Sequence, residues 1–152
     1  MLKFGFTNET KARVGKKHFE DLTKKFYKVM KKLVDKKLFG RDGLVDMVVV
    51  DDETIAVMNE EYREKVGPTD VISFAYLEVT EYEKEEGDVI VGDIFISIDT
   101  IKRQAKEHKL TVQKEMDKMF VHGLLHCFGF DHQNDEEEAE MEGWARQVLG
   151  WG

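Results

Sequence analysis

The sequence predicts one α+β domain over residues 1–152, built on a mixed, mainly four-stranded sheet with about five helices, the histidine-bearing helix packed centrally. Three segments are rich in β-branched residues and a fourth is a short run of leucine and phenylalanine, which together predict four strands. Five segments repeat apolar residues at intervals of three and four, which is typical of helices. Their order, β, α, β, α, β, β, α, α, α, fits a single sheet with helices packed on it. A chain of 152 residues can bury one core without disulfides.

In the first half of the chain, two strands alternate with two helices. Residues 2–6 form a short apolar strand, and residues 44–52, LVDMVVVDD, form a β-branched one. The first helix is predicted at 16–36, with an apolar face of Phe19, Leu22, Phe26, Met30 and Leu33. The second is predicted at 54–65, with an apolar face of Ile55, Met58 and Tyr62. Each helix therefore has one face to bury.

The second half begins with two strands and ends with three helices. The strands are predicted at 71–77 and 88–97, both rich in valine, isoleucine and phenylalanine. The helices are predicted at 99–108, 111–128 and 135–148. Each helix begins near an aspartate or threonine that can cap its first free amides.

The composition excludes several classes of protein. The formal net charge is −8, from 31 acidic and 23 basic residues, which argues against a protein that wraps duplex DNA non-specifically. No stretch approaches the roughly 20 apolar residues of a membrane-spanning helix, so we expect no membrane partner. The single cysteine, Cys127, has no partner in the chain, and the first residues contain no apolar signal segment. We therefore expect a cytoplasmic protein.

The charge is unevenly distributed along the chain. Residues 11–37 contain eleven basic and three acidic side chains, a local net charge of +8, so the remainder carries −16. Much of this negative charge lies in residues 78–88 and 135–142, and we expect the second stretch to face solvent. A solvated helix face is the ordinary interpretation of the basic segment. The alternative is a track for a phosphate-bearing partner beside an active site.

Three of the five histidines fall within FVHGLLHCFGFDH, residues 120–132. His122 and His126 are four positions apart on a predicted helix, so their rings lie on one face about one turn apart. Gly129 ends the helix and can take the left-handed conformation that turns the chain back, which brings His132 toward the same point. Three imidazoles without a fourth protein ligand are typical of a catalytic zinc site with water in the open position.

The remaining histidines and two neighbours of the ligands have simpler interpretations. His18 and His108 have no ligand residues nearby in the sequence and are predicted to lie on the surface. Cys127 is turned about 100 degrees from His126 on a helix and is predicted to be a small buried apolar residue. Asp131 either orients an imidazole or caps the turn, and both roles stay open.

The histidine spacing also occurs in the metzincin proteases, where a glutamate after the first histidine is the general base. Here that position is Gly123, which cannot accept a proton, so a zinc-dependent peptidase would need a base from elsewhere. The segment instead resembles the YbeY family of bacterial rRNA maturation factors, whose mark is HGxLHLxGYDH. Cys127 and Phe130 are the two departures from that pattern, and neither is a ligand position.

Two further blocks extend the resemblance over about residues 44–145. MNEEYREKVGPTDVISF, residues 58–74, matches a family stretch that contains asparagine, arginine and the run Thr-Asp-Val-Leu-Ser-Phe. GDIFIS, residues 92–97, matches the family's Gly-Asp-Ile strand. Three blocks in the expected order make the resemblance specific, although the basic N-terminal third matches no motif.

The resemblance implies a metal-dependent endoribonuclease that is specific for single-stranded RNA. Such an enzyme typically binds zinc and uses no organic cofactor. It acts on the ribosomal small subunit, in maturation of the rRNA 3′ end and in ribosome quality control. The implied metal ligands are His122, His126 and His132. Arg63 is the candidate for stabilising charge on phosphate oxygens, the alternative being an exposed arginine paired with Glu60. Asn59 lies one turn earlier and is the candidate to flank the substrate groove with Arg63.

Four other polar residues in the matched blocks have less specific roles. Thr69, Asp70 and Ser73 follow a Gly-Pro turn, and we predict that they satisfy free amides of that turn. Asp93 lies in an apolar strand and must have a partner, either a ligand histidine or a backbone amide.

Two alternatives to the endoribonuclease stay open. One is the zinc-dependent peptidase, which Gly123 disfavours. The other is a non-catalytic ribosome assembly factor with a structural metal, which predicts that His126→Ala abolishes metal binding without altering rRNA processing.

Overall fold

The computed structural model describes residues 1–77 and 86–151 and contains every predicted strand and helix in the predicted order. The strands are β1 Leu2–Asn8, β2 Gly43–Val50, β3 Val71–Ala75 and β4 Val89–Ser97. The helices are α1 Lys16–Lys37, α2 Asp52–Arg63, α3 Ile98–Glu107, α4 Val112–Cys127 and α5 Asp135–Leu149. The predicted fold class is therefore confirmed. Most of the acidic stretch predicted at 78–88 lies outside the described residues.

The boundaries differ from the predictions by a few residues where a cap decides the end of an element. The strand predicted to end at Asp52 ends at Val50, because Asp51 caps α2 and its carboxylate accepts a hydrogen bond from the backbone N of Thr54 at 2.8 Å. Helix α1 has non-helical dihedral angles at Met30 and is kinked there. None of the described helices has the length and apolar character needed to traverse a bilayer.

The sheet has the strand order β1-β2-β4-β3. Strands β1, β2 and β4 are parallel, and β3 is antiparallel to β4 at the edge. Side chains alternate between the faces, so Val45, Met47 and Val49 are buried on one face whereas Asp46 and Val48 lie on the other. The alternation that predicted a strand therefore also separates the two faces.

Helices α1 and α4 pack on the first face and form the main core. Phe19 of α1 and Phe120 of α4 are fully buried, with ring centroids 5.4 Å apart and an edge-on angle of 76°. Helix α5 adds a buried face of Met141, Ala145 and Val148, and its acidic residues face solvent as predicted.

Helix α2 covers part of the second face. Ile55 of α2 is buried with Val50 and Ile72 in a smaller cluster, against which Met58 and Phe74 pack. Because β3 is the edge strand and contacts α4, the end of α2 and the C-terminal half of α4 approach each other across β3. The candidate site lies there.

Candidate active site

A pocket of about 590 Å³ opens between α2, β3 and α4. One wall consists of the C-terminal half of α4 and the loop that follows it, and contributes Met119, His122, His126 and His132. The opposite wall consists of the end of α2, β3 and the loop between them, and contributes Tyr62, Arg63 and residues 69–74. The three histidines and Arg63, which come from two separate sequence blocks, therefore line one pocket.

His122 and His126 face the pocket from adjacent turns of α4, and both side chains are partly buried. Burial lowers the pKa of each imidazole below its ordinary value of 6.5. His126 Nδ1 lies 2.9 Å from the carbonyl O of Phe130, which can only accept a hydrogen bond, so Nδ1 carries the proton. The neutral ring therefore keeps the lone pair of Nε2 for a ligand.

The chain turns back after α4 at the predicted glycine. Gly129 has a φ of 95°, and its N–H donates to His126 O at 3.0 Å while the N–H of Phe130 donates to Leu125 O at 3.1 Å. These two bonds form the Schellman motif that ends many helices. His132 then lies beside His126, with ring centroids 5.2 Å apart and planes at 82°. The predicted reversal at Gly129 is confirmed.

The imidazoles share the pocket without forming a closed ligand set. Within residues 1–77 and 86–151, no three or more His, Cys, Asp or Glu side chains are grouped closely enough to hold an ion. His122 and His126 are held by the helix, whereas His132 is exposed in the loop after it. The chemistry of the donors nevertheless fits a transition metal, because neutral imidazoles are preferred ligands of zinc and of related divalent ions.

The position directly after His122 has no space for a carboxylate side chain. A Cβ atom at this position would lie 2.9 Å from Ile94 Cγ2 and 3.0 Å from Ser73 Oγ. Gly123 therefore faces the sheet at close range, while His122 and His126 face the pocket. A glutamate here would collide with β3 and β4, so the general base of a metzincin has no space.

A second close approach fixes α4 near its C-terminus. A Cβ atom on Gly92 would come within 2.5 Å of Cys127 Sγ, so only glycine lets strand and helix meet there. Cys127 is 2% exposed, and burial raises the pKa of its thiol to about 12. The prediction that Cys127 is a buried apolar residue is confirmed.

Arg63 ends α2, and its side chain is exposed at the pocket wall opposite the histidines. No other residue of the described part of the chain forms an ion pair or a hydrogen bond with its guanidinium. The alternative interpretation, a pair with Glu60, is therefore not formed. An unpaired guanidinium in this place can bind an anionic group through parallel N–H donors.

Asn59 is buried behind the pocket and does not line it. It is 4% exposed, and its Nδ2 donates to the carbonyl O of Gly67 at 2.9 Å. The prediction that it flanks the substrate beside Arg63 does not fit this geometry. Glu64 takes a left-handed φ of 54°, so the chain folds back against α2 and covers Asn59. Asn59 instead ties α2 to the loop that carries residues 69 and 70 into the pocket.

Asp70 accepts a backbone amide as predicted, whereas the hydroxyl of Thr69 contacts the Asp70 carboxylate instead of an amide. Asp70 Oδ1 accepts hydrogen bonds from the backbone N of Val71 at 2.7 Å and from Thr69 Oγ1 at 3.4 Å. Both residues and Ser73 also line the pocket, and in the described part of the chain Ser73 Oγ makes no bond to an amide of the turn.

The two aspartates with open roles have partners away from the imidazoles. Asp93 Oδ2 accepts a hydrogen bond from the Tyr76 hydroxyl at 2.8 Å, so neither predicted partner, a histidine or an amide, is correct. Tyr76 reaches it because it follows β3, which runs antiparallel to β4. Asp131 accepts from the backbone N of His132 at 2.7 Å and caps the turn.

Tyr62 is the pocket residue that the sequence reasoning misplaced. The helical repeat assigns it to the buried face of α2, yet it is 63% exposed and lines the pocket. The available signal was its position directly before Arg63 in a matched block.

Comparisons with known proteins agree with the family resemblance seen in the motifs. A family model described as Endoribonuclease YbeY matches residues 6–150. A protein named Endoribonuclease YbeY from Oceanobacillus iheyensis is 42% identical over 105 residues, covering 66% of this chain and 68% of its own. One of the same name from Fusobacterium nucleatum is 36% identical over 132 residues, covering 87% and 78%. A Thermotoga maritima protein solved in solution superposes with a TM-score of 0.61 at 25% identity, covering 97% of this chain and 90% of that one.

Proposed function

Because this chain belongs to the YbeY endoribonuclease family, we propose that it cleaves single-stranded RNA in the pocket between α2, β3 and α4, and so matures the 3′ end of small-subunit rRNA. One observation carries the proposal. Among residues 1–77 and 86–151, no carboxylate is in ion-pair contact with the imidazoles on one wall of the pocket, and no side chain pairs with the Arg63 guanidinium on the other. The first chemistry suits a metal ion and the second suits a phosphate.

The metal-dependence of the family is assigned here to one zinc ion held by His122, His126 and His132. Two of the ligands are held on adjacent turns of α4, and the exposed loop leaves His132 free to complete the set. When bound, zinc lowers the pKa of a water toward ~7 and polarises a phosphoryl oxygen.

The other groups of the pocket bind and orient the substrate. The guanidinium of Arg63 donates to the non-bridging oxygens of the scissile phosphate and stabilises the charge that develops on them. The hydroxyl of Ser73 lies at the contact between β3 and α4, close to the helix that carries the imidazoles. Asn59 keeps the second wall in place from behind.

The test compares substrates and metal states in one experiment. Purified protein is incubated with single-stranded RNA, with duplex RNA of the same sequence and with an unstructured polypeptide, before and after chelation, and its metal content is measured. We expect cleavage of the single strand alone, loss of activity after chelation, and recovery with zinc. Cleavage at undiminished speed after complete metal removal would contradict the metal assignment, and proteolysis would favour the peptidase.

The basic helix α1 is the proposed track for RNA outside the pocket. A groove of about 550 Å³ between α1 and α5 is lined by Lys28, Lys32, Leu33, Phe130 and Trp144. Phe130 lines the groove and belongs to the turn after α4, where its carbonyl O lies 2.9 Å from His126 Nδ1, so this turn links the groove to the histidines. Neither Lys28 nor Lys32 has an ion-pair partner in the described structure, unlike Lys31, whose Nζ lies 2.6 Å from Asp35. Glu140 on the α5 edge keeps phosphates on the α1 side.

Charge reversal tests this track. Lys28→Glu with Lys32→Glu should weaken binding of single-stranded RNA about tenfold and make the dependence of affinity on salt less steep, because fewer counterions are released. The matched control reverses Lys102 and Lys106, which are exposed on α3. Equal effects of the two pairs would mean that only net charge matters.

A further inference from the structure

Tyr62 combines high exposure with a fixed position. The side chain is 63% exposed at the mouth of the pocket, on the last turn of α2. Its ring contacts Phe74, with centroids 5.2 Å apart and planes at 82°, and Phe74 in turn meets Phe95 at 5.8 Å and 90°. These edge-on contacts hold the ring from one side, so that most of its surface stays open to solvent.

The neighbourhood of the ring suits one kind of ligand. Arg63 follows Tyr62 directly, so a guanidinium that can bind phosphate lies beside an exposed aromatic ring on the same helix end. A nucleotide presents the same two groups, a charged phosphate and a flat base, within one short unit. Exposed aromatic side chains are the usual stacking surfaces for unpaired bases, because every base has a π-face.

We propose that Tyr62, supported by Phe74, forms a stacking subsite for one unpaired nucleobase at the mouth of the pocket. This inference rests on the proposed function and deepens it. A base in a duplex is stacked between its neighbours and cannot reach such a ring, so the subsite selects single strands. Stacking needs no base-specific hydrogen bond, so the subsite discriminates weakly among sequences.

The test uses a series of variants on the whole, metal-loaded protein. Tyr62→Ala and Tyr62→Leu should raise the KM for a single-stranded RNA oligonucleotide about 5- to 100-fold with little change in kcat, because one stacked base is lost. Tyr62→Phe keeps the ring and should remain within about twofold of the parent protein. Binding of an oligonucleotide with 2-aminopurine near the cleavage point should quench its fluorescence with the parent protein and Tyr62→Phe only.

The control is Phe39→Ala, which removes another exposed aromatic ring, 57% exposed and outside the pocket. It should leave both KM and quenching unchanged.

An unchanged KM in Tyr62→Ala, or a Tyr62→Leu variant as active as Tyr62→Phe, would overturn the subsite. If Tyr62→Ala does not fold, the Leu and Phe variants still decide. Absence of RNA cleavage by the parent protein would count against the proposed function, whereas quenching without cleavage would still support the subsite.

Discussion

The histidines at the two ends of helix α4 have opposite surroundings: His108 caps α3 and contacts the N-terminal end of α4, whereas His126 lies at its C-terminal end. At the N-terminal end, His108 Nδ1 lies 3.0 Å from Oε2 of Glu115, whose side chain is fully buried. Lys118 Nζ lies 3.1 Å from the other oxygen, Oε1, close enough for an ion pair although not aligned as a hydrogen bond. At the C-terminal end, the one hydrogen bond of the His126 ring within the described residues is donated to the backbone carbonyl of Phe130.

The difference separates histidines that stabilise the fold from histidines that are available for a ligand. His18 behaves like His108: each is partly exposed, as predicted, and each contacts a carboxylate, Asp117 and Glu115 respectively. His122 and His126 have lowered pKa values because of burial, and no carboxylate in the described residues is within ion-pair distance of either. A neutral imidazole without an acidic partner keeps a lone pair, which is what a metal requires.

The largest expected difference is between two alanine variants, one at a histidine of the pocket and one at a histidine that contacts a carboxylate. His126→Ala should lower RNA cleavage about 100- to 1000-fold or more, because loss of one central transition-state contact costs about that much and the metal that polarises the phosphate would be lost as well. His108→Ala should keep the metal and most of the activity. Metal content, cleavage rate and thermal unfolding are measured for both variants.

The outcome also decides the role of the metal. If His126→Ala loses the metal yet rRNA processing is unchanged in cells, the assembly-factor interpretation holds. If His108→Ala also loses the metal, the contrast between the two ends of α4 is wrong.

Much of this contrast was predictable from the sequence, because it depends on local spacing. Two histidines four apart on a helix share a face, and a glycine two residues after the last helical position turns the chain back. The strands and helices were likewise predictable, since their apolar periods are strong and the last three helices each have a capping residue at their start.

The second wall of the pocket was not predictable by the same reasoning. Its shape depends on where the chain goes after α2, and that is set by one left-handed residue, Glu64, with a φ of 54°. This reversal buries Asn59 and leaves Tyr62 exposed, the opposite of what the helical pattern indicates. The partner of Asp93 was not predictable either, because Tyr76 follows a different strand, β3, and comes close to Asp93 only through the pairing of β3 with β4.

Removing the buried carboxylate at the N-terminal end should mainly affect stability. Glu115→Ala should lower the free energy of unfolding by about 3 kcal/mol, because it leaves His108 and Lys118 without their common partner and opens a cavity. Urea unfolding measures the loss, and metal content measured under folding conditions should be unchanged. A loss of metal without a loss of stability would mean that Glu115 acts on the site instead of the fold.

A smaller effect is expected at the glycine between the two helical histidines. Gly123→Ala places a Cβ 2.9 Å from Ile94 Cγ2, so α4 must shift. Overpacking of this kind lowers the free energy of unfolding by about 1–3 kcal/mol. The better helix propensity of alanine partly offsets this loss. The shift should also weaken metal binding. Gly143→Ala in α5 is the matched control, because nothing lies within 4 Å of a Cβ there, and it should stabilise the protein by about 0.5–1 kcal/mol. Stabilisation by both substitutions would show that α4 accepts a methyl group at position 123 without steric conflict with the sheet.

The smallest effect is a change in how stability depends on pH in the metal-free protein. Burial lowers the pKa of His122 in the folded state, whereas the unfolded chain takes up a proton near the ordinary value of 6.5. Below that pH the unfolded state binds more protons, so stability is fully present above 6.5 and falls as the pH drops toward the folded pKa. Urea unfolding of metal-free protein at pH 7.5 and 5.5 should therefore show a smaller drop for His122→Gln than for the parent, and His126→Gln should change in the same direction. An equal drop in the free energy of unfolding of all three proteins would mean that folding does not lower the pKa of these imidazoles. The proposed difference between the two ends of α4 would then be wrong.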